Sequence, residues 1–253
     1  MNELPHRLDR TIVIEAPRDI VFEFFADEER WASWWGAGSR IDPRPGGAML
    51  IRYPGGTEAS GQVLEVKPPE RIVFSYGYAS GSPIGPGASR VSISLETIAG
   101  GTRLHLAHEF ADERARDEHV QGWRYQLSLF ANAVTDRLHA NAEGAINRWF
   151  QTWADPDPDS RGRALFAIAV PAVTYRDRFS CITGREELSA HIGAAQRFMP
   201  GLRLSRTGGL RHCQGMILVE WNAIDQDKAV KGTGITVFVL NADRLIVSAT
   251  GFR

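Results

Sequence analysis

The stretch Val120–Leu138, VQGWRYQLSLFANAVTDRL, decides the fold of the first half of the chain. Its apolar residues recur three or four positions apart, which places them on one face of a helix of about five turns; they are Val120, Trp123, Leu127, Phe130, Val134 and Leu138. A long amphipathic helix has to bury such a face on another layer. Because a curved sheet and a straight helix cannot touch everywhere, we expect a cavity between the helix and a sheet.

The segments before this helix predict that sheet. Gly and Pro bound short runs in which apolar and polar residues alternate, as in Ile72, Phe74, Tyr76 and Tyr78. The predicted strands are Arg10–Glu15, Ala48–Tyr53, Glu58–Lys67, Arg71–Tyr78, Arg90–Thr97 and Thr102–Phe110; two helices, one from Pro17 and one at Asp27–Trp35, follow the first strand. A strand, two helices, antiparallel strands and a long helix form a helix-grip domain.

The second half predicts an α+β domain in which helices come first. A helix contains Ile146, Trp149, Phe150 and Trp153, and further helices are expected at Gly162–Ile168 and Arg185–Phe198. The predicted strands are Ala172–Asp177, Leu202–Thr207, Leu210–Ala223, Val230–Leu240 and Leu245–Phe252. We therefore predict an α+β fold class, with a helix-grip domain at residues 1–139 and a cone-shaped domain of helices on a twisted antiparallel sheet at residues 140–253.

Composition narrows the classes of partner. The 253 residues include 29 Lys+Arg and 30 Asp+Glu, a net charge of −1, so no broad field draws the chain to nucleic acid or to a membrane. The N-terminal MNELPHRLDR is charged where a signal peptide is apolar, and the apolar run 164–173 is too short to span a bilayer, which predicts a cytoplasmic protein. Cys181 and Cys213 form neither a disulfide framework nor a zinc site, and we expect no metal and no cofactor.

Several motifs in the first half resemble a known family. They are Trp34-Trp35 after Asp27-Glu28-Glu29, the Gly46-Gly47 turn, Leu104–Phe110 (LHLAHEF) and Gly122-Trp123. Over roughly residues 8–139 the chain resembles the activator of heat-shock-protein ATPase homologues, which belong to the SRPBCC superfamily together with the START domains. The resemblance implies a helix-grip fold and a pocket for apolar ligands, and the family name suggests a chaperone or other protein partner.

A second set of motifs covers residues 140–253. They are Tyr175–Asp177 (YRD), Gly184–Leu188 (GREEL), Val219–Trp221 (VEW), Gly232–Gly234 (GTG) and Asp243–Ile246 (DRLI). Their order resembles the SnoaL-like group of the nuclear transport factor 2-like superfamily, which includes polyketide cyclases, ketosteroid isomerases, epoxide hydrolases and members that only bind or dimerise. This resemblance implies a homodimer that forms sheet to sheet.

Asp177 is the candidate catalytic residue of the second domain. By resemblance to the ketosteroid isomerases it stands where they place a proton-abstracting aspartate, and a dry pocket would raise its pKa. Thr233 stands where they place a second carboxylic acid, and Trp149, Phe150 and Trp153 replace a tyrosine, so the isomerase site is not reproduced. The alternative to a catalytic role is a structural one, in which Asp177 caps a turn or pairs with a neighbouring arginine.

Other polar and aromatic residues are candidate ligand contacts. In the second domain they are Tyr175, His191, His212, Trp221 and Thr233, although a histidine on a surface helix or strand is also compatible with simple solvation. In the first domain they are Trp35, Tyr76, Tyr78, His108 and Trp123. His108 shares the buried strand face, so it either contacts a ligand or is a core histidine with its hydrogen bonds satisfied.

These observations favour a protein with two pockets for a small hydrophobic or aromatic ligand. A reaction on that ligand, of the polyketide or secondary-metabolism type, stays open; an enzyme of this kind would be a cofactor-free isomerase, cyclase or hydrolase acting through the second domain. The alternative is a chaperone-associated or other interaction module that dimerises through its second domain. A pocket of about 300 Å³ or more in each domain would favour ligand binding, whereas domains filled by their own aromatic side chains would favour interaction.

Overall fold

The structure is a computed structural model that describes residues 3–253. Met1 and Asn2, which begin the charged N-terminal stretch, lie outside this range. The chain divides into two compact units, a first unit that ends at Thr135 and a second unit that runs from Asp136 to Arg253. The division falls inside the long helix, whereas the sequence predicts the boundary just after that helix, at residue 139.

The first unit is the predicted helix-grip domain. Its elements are β1 (His6–Ile14), α1 (Arg18–Ala26), α2 (Glu28–Trp35), β2 (Arg40–Ile41), β3 (Ala48–Arg52), β4 (Glu58–Lys67), β5 (Arg71–Tyr76), β6 (Ser89–Ile98), β7 (Gly101–Phe110) and α3 (Glu113–Leu138). The seven strands form one antiparallel sheet in the order β1-β7-β6-β5-β4-β3-β2. The predicted order of strand, helices, meander and long helix is therefore confirmed.

The long helix α3 begins earlier than its apolar stripe suggests. The side chain of Asp112 accepts a hydrogen bond from the Ala115 backbone N–H at 2.9 Å and so caps the first turn. The buried face consequently extends back to Ala115 and His119, while the predicted stripe residues from Trp123 onward are buried as expected. Phe130 anchors the helix, because its ring stacks on Phe25 with centroids 4.9 Å apart.

The inner face of the first sheet matches the predicted alternation up to Tyr76. Ile72, Phe74 and Tyr76 of β5 are all buried. The strand ends at Tyr76 and not at Tyr78 as predicted. At Gly77 the backbone of Gly85 comes so close that a Cβ would lie 1.7 Å from the Gly85 carbonyl oxygen. The glycine thus lets a loop cross the strand end, which alternation alone cannot indicate.

The second unit packs three helices on one mixed sheet. Its elements are α4 (Glu143–Ala154), α5 (Pro158–Ile168), β8 (Ala169–Arg176), β9 (Cys181–Thr183), α6 (Arg185–Phe198), β10 (Arg203–Cys213), β11 (Met216–Ile224), β12 (Val230–Leu240) and β13 (Ile246–Phe252). The strand order is β10-β11-β12-β13-β8-β9. The α+β class is confirmed, but the sheet is not fully antiparallel, because β13 returns beside β8 in the same direction.

The predicted break between two strands of this sheet is in the wrong place. The sequence suggests a turn near Thr207 and one continuous strand from Leu210 to Ala223, whereas the structure has a bulge at the first point and a hairpin at Gln214-Gly215. Both turn residues have positive φ, 46° and 82°, which suits a two-residue hairpin turn. The glycines at 208 and 209 suggest a turn in the sequence, but glycine also occurs in β-bulges, and these two lie in the bulge.

Within residues 3–253, no helix has the length and apolar character that a membrane crossing requires.

Candidate functional site

The second unit contains a cavity between its helices and the sheet. It has a volume of about 530 Å³, and we call it the second-unit cavity. Its walls are mainly apolar: α4 supplies Trp149, Phe150 and Trp153, β8 supplies Tyr175, and β11 supplies Trp221. Phe179, Phe198 and Met199 also line it and are exposed, so they mark the side on which the cavity opens to solvent.

Asp177 lies in the wall of this cavity, directly after β8. Its Oδ2 accepts a hydrogen bond from the Tyr175 hydroxyl at 2.9 Å, and its Oδ1 accepts one from the Phe179 backbone N–H at 2.8 Å. The second bond, with the 3.0 Å bond from the Asp177 N–H to the Ser180 carbonyl, closes the turn into β9. Asp177 therefore combines a turn-forming role with a place on the cavity, and no ion pair to Arg176 or Arg178 forms within residues 3–253.

Tyr175 connects the aromatic wall to this carboxylate. Its ring lies 5.1 Å from Trp153 and 6.0 Å from His191, measured between centroids. Burial raises the pKa of the Tyr175 hydroxyl, and the adjacent negative charge of Asp177 raises it further. The hydroxyl stays protonated at neutral pH and donates to Asp177.

The remaining polar lining residues are largely engaged with one another. His191 Nε2 lies 3.2 Å from the Ser180 hydroxyl, and Trp221 Nε1 donates to the Thr236 hydroxyl at 2.9 Å. Asp177, Tyr175, His191 and Trp221, which the sequence suggests separately, thus all line one cavity.

Two predicted contacts of the second domain do not line this cavity. Thr233 is exposed on β12, and Thr236 lines the cavity instead, since residues three apart on a strand point to opposite faces. His212 of β10 contacts the Asp136 carboxylate through Nδ1, and its Nε2 lies 3.4 Å from His139 Nδ1. The prediction that His212 lines the cavity is therefore corrected: its ring belongs to a cluster with Asp136 and His139, all within the second unit.

The first unit has a smaller cavity of about 270 Å³ between α3 and the sheet, which we call the first-unit cavity. Trp35, Tyr76, Tyr78 and Trp123 line it, as the sequence suggests. The sequence analysis missed Tyr53 and His119, which line it as well. Tyr53 continues the alternation of Met49 and Ile51, and His119 stands one turn before Trp123, so both signals were available.

His108 is buried behind the first-unit cavity and does not line it. Trp123 Nε1 donates to His108 Nδ1 at 2.9 Å, so the imidazole proton lies on Nε2, 2.8 Å from the Ser89 hydroxyl. That hydroxyl donates in turn to the Tyr76 carbonyl at 2.8 Å. Burial holds the pKa of His108 well below its usual value. Its predicted role as a ligand contact is corrected to that of a core histidine that fixes the Trp123 ring.

Two buried polar atoms of the residues around the first-unit cavity have no hydrogen-bond partner in the described chain. They are Trp35 Nε1 and His119 Nε2. His119 Nδ1 lies 2.6 Å from the Ala115 carbonyl, which places the imidazole proton on Nδ1 and leaves Nε2 as an acceptor. Burial lowers the pKa of His119, so the ring stays neutral at neutral pH.

Comparison with known proteins gives one family match. Residues 15–135 match the family described as Activator of Hsp90 ATPase homolog 1-like protein. No curated protein matches the chain.

Several solved structures are similar to parts of the chain. A SnoaL-like family protein from Agrobacterium tumefaciens is 22% identical, covering 46% of this chain and 97% of its own, with a TM-score of 0.42. CalU16 from Micromonospora echinospora is 29% identical, covering 49% and 75%, with a TM-score of 0.42. Protein Ms6760 from Mycobacterium smegmatis is 21% identical, covering 56% and 96%, with a TM-score of 0.45. The family match at residues 15–135, slightly under half of the chain, thus shows that this part is similar to the Activator of Hsp90 ATPase homolog 1-like family, as its motifs suggest.

Proposed function

We propose that the protein binds a small, largely apolar ligand of aromatic character in the second-unit cavity. The observation that carries this proposal is the cavity itself, about 530 Å³ with a wall of tryptophan, tyrosine and phenylalanine side chains. This volume lies within the range of about 300–1,000 Å³ that is usual for small-molecule sites, and such sites combine apolar walls with few polar groups. Asp177 and the His191–Ser180 pair are the polar groups that would orient the ligand.

The first-unit cavity supports ligand binding less well. Its volume of about 270 Å³ lies below that range, because the aromatic side chains of α2, α3 and the sheet fill the space between them. Trp35, for example, lies 5.7 Å from Trp123 and 5.9 Å from Tyr53, measured between ring centroids. The proposal therefore assigns the ligand to the second unit, and a second ligand in the first unit stays a prediction.

The test uses the neutral fluorescent probe N-phenyl-1-naphthylamine. The full chain should bind it with enhanced probe fluorescence and with energy transfer from tryptophan. Ala195→Phe narrows the second-unit cavity and should weaken binding at least tenfold, since Ala195 of α6 lines it. Ala190→Phe is the matched control, because Ala190 lies on the same helix but is exposed and outside the cavity.

A third variant tests which of the two cavities binds the probe. Gly122 lines the first-unit cavity, and a Cβ there meets no atom within 4 Å, so Gly122→Phe can narrow that cavity without a backbone clash. Probe binding that is lost in Gly122→Phe and kept in Ala195→Phe would move the site to the first unit and overturn the proposal.

A second candidate function is proton abstraction by Asp177 from a carbon next to a carbonyl group. The position of Asp177 on the cavity and its freedom from an ion pair within residues 3–253 favour it. Such an enzyme would need no cofactor for this step.

The test of that candidate is exchange of α-protons of 2-tetralone in D₂O, followed by NMR. The chain should accelerate exchange, and Asp177→Asn should remove the acceleration while probe binding is kept. Exchange at the same rate in Asp177→Asn would leave Asp177 as a turn residue and the second unit as a binding module.

Self-association through the second unit is the remaining proposal. Phe238 and Leu240 are fully buried, whereas Val237 and Val239 on the opposite sheet face are partly exposed. Light scattering at micromolar concentration should give twice the 28.0 kDa mass of the chain, and Val237→Lys should give a monomer. A monomeric wild-type chain would contradict this. A chaperone partner, which the family description suggests, stays a prediction.

A further inference from the structure

The lining of the second-unit cavity contains one fixed positive and one fixed negative side chain. The negative one is Asp177, and the positive one is Arg253, which follows β13. The Arg253 guanidinium carbon lies 5.3 Å from the centroid of the Trp221 ring, in the range of a cation–π contact. The guanidinium thus lies over an aromatic wall of the cavity, at its solvent-exposed side.

The two charges lie near the same part of the wall. In the sheet, β13 pairs with β8 so that Ala249 stands beside Tyr175 and Thr250 beside Arg176. The chain therefore brings Arg253 to the end of the sheet at which Asp177 follows β8. The pKa of the Tyr175 hydroxyl responds to both groups, since Asp177 raises it and Arg253 lowers it.

The two charged side chains differ in whether their polar atoms have hydrogen-bond partners in the protein. Each oxygen of Asp177 accepts a bond from the protein, one from Tyr175 and one from Phe179. Arg253, by contrast, makes neither a hydrogen bond nor an ion pair with any group in residues 3–253. A guanidinium has five N–H donors in a planar fork, and a carboxylate matches that fork with two parallel bonds.

We propose that the second-unit cavity selects ligands that carry a carboxylate on a flat apolar body. This inference rests on the proposed function, because it names the chemical class of the ligand for the same cavity. Arg253 binds the carboxylate at the end of β13, and the apolar body lies against Trp153 and Trp221.

The experiment compares two probes of nearly equal size, naphthalene-2-carboxylate and 2-naphthalenemethanol, by calorimetric titration of the full chain. The acid should bind about tenfold more tightly than the alcohol, and added NaCl should weaken binding of the acid alone. Arg253→Gln should remove the preference for the acid and leave binding of the alcohol unchanged. Arg253→Lys should keep part of the preference, since a lysine offers the charge without the planar fork.

Arg176→Gln is the matched control, because it removes the same charge from an exposed residue that does not line the cavity. Equal affinity for acid and alcohol would overturn the carboxylate inference and leave the proposed function intact. An equal loss of acid binding in Arg176→Gln and Arg253→Gln would also overturn it, as an effect of net charge. Binding of neither probe would count against the proposed function itself.

Discussion

Replacing Trp123 separates the contributions of packing and hydrogen bonding in the first unit. The side chain is 4% exposed, and its Nε1 donates to His108, which is itself fully buried. Trp123→Phe keeps most of the aromatic volume but leaves His108 Nδ1 buried without a donor, at a cost of about 1–3 kcal/mol. Trp123→Ala also removes the ring, and deletions of this size in a core cost about 3–5 kcal/mol.

Urea unfolding of the full chain, followed by circular dichroism, measures both changes. The free energy of unfolding of a small domain falls by about 2 kcal/mol per molar urea. Trp123→Ala should therefore lower the urea midpoint of the first-unit transition by about 2 M, and Trp123→Phe by about 1 M. Tyr125→Ala is the control on the same helix, because Tyr125 is 65% exposed and its loss should change stability by less than about 0.5 kcal/mol. An unchanged midpoint in Trp123→Phe would refute the stabilising role of the bond to His108.

Two further predictions concern titration and packing. Burial lowers the pKa of both His108 and His119 in the folded chain, while the unfolded value is near 6.5. The unfolded chain therefore binds protons first as the pH falls. The free energy of unfolding of the first unit should fall below about pH 6.5, by at most about 1.4 kcal/mol per pH unit for each histidine. Urea midpoints of the first-unit transition from about pH 7.5 to about pH 5 test this, with a smaller slope expected in His119→Gln; a flat profile would contradict it. Gly234→Ala should destabilise the second unit by about 1–3 kcal/mol and weaken probe binding, since the new Cβ would lie 2.3 Å from the Trp221 ring. Gly232→Ala, whose Cβ meets nothing within 4 Å, should change neither, and equal effects of the two variants on thermal melting would exclude this contact as the cause.

The fold was predictable where apolar residues repeat with a clear period. The stripe that includes Trp123 and Phe130 identified α3, and the alternation around Phe74 identified the meander, because both patterns follow from burial of one face. Predictions failed where glycine acts through backbone geometry. Gly77 ends β5 by letting a loop approach, and Gly215 forms a hairpin that the run from Leu210 to Ala223 conceals.

The candidate site was predictable only in part. The sequence suggested Asp177, Tyr175, His191 and Trp221 one at a time, and their shared cavity depends on the pairing of β8 with β13. Thr233 was a candidate through the resemblance to the ketosteroid isomerases, whereas Thr236, on the opposite face of the same strand, lines the wall.

The sequence by itself determined the two α+β units, the helix that closes the first sheet and the aromatic residues available to form a pocket, because local periodicity and side-chain type decide these features. Only the tertiary structure decided that His108 fixes Trp123 instead of facing the cavity, that His212 contacts Asp136 within the second unit, and that Arg253 comes to the end of the sheet that holds Asp177. Those arrangements join residues far apart in the chain. Their positions depend on strand register and on the partners that buried polar atoms find after folding, neither of which is written in the spacing of residues.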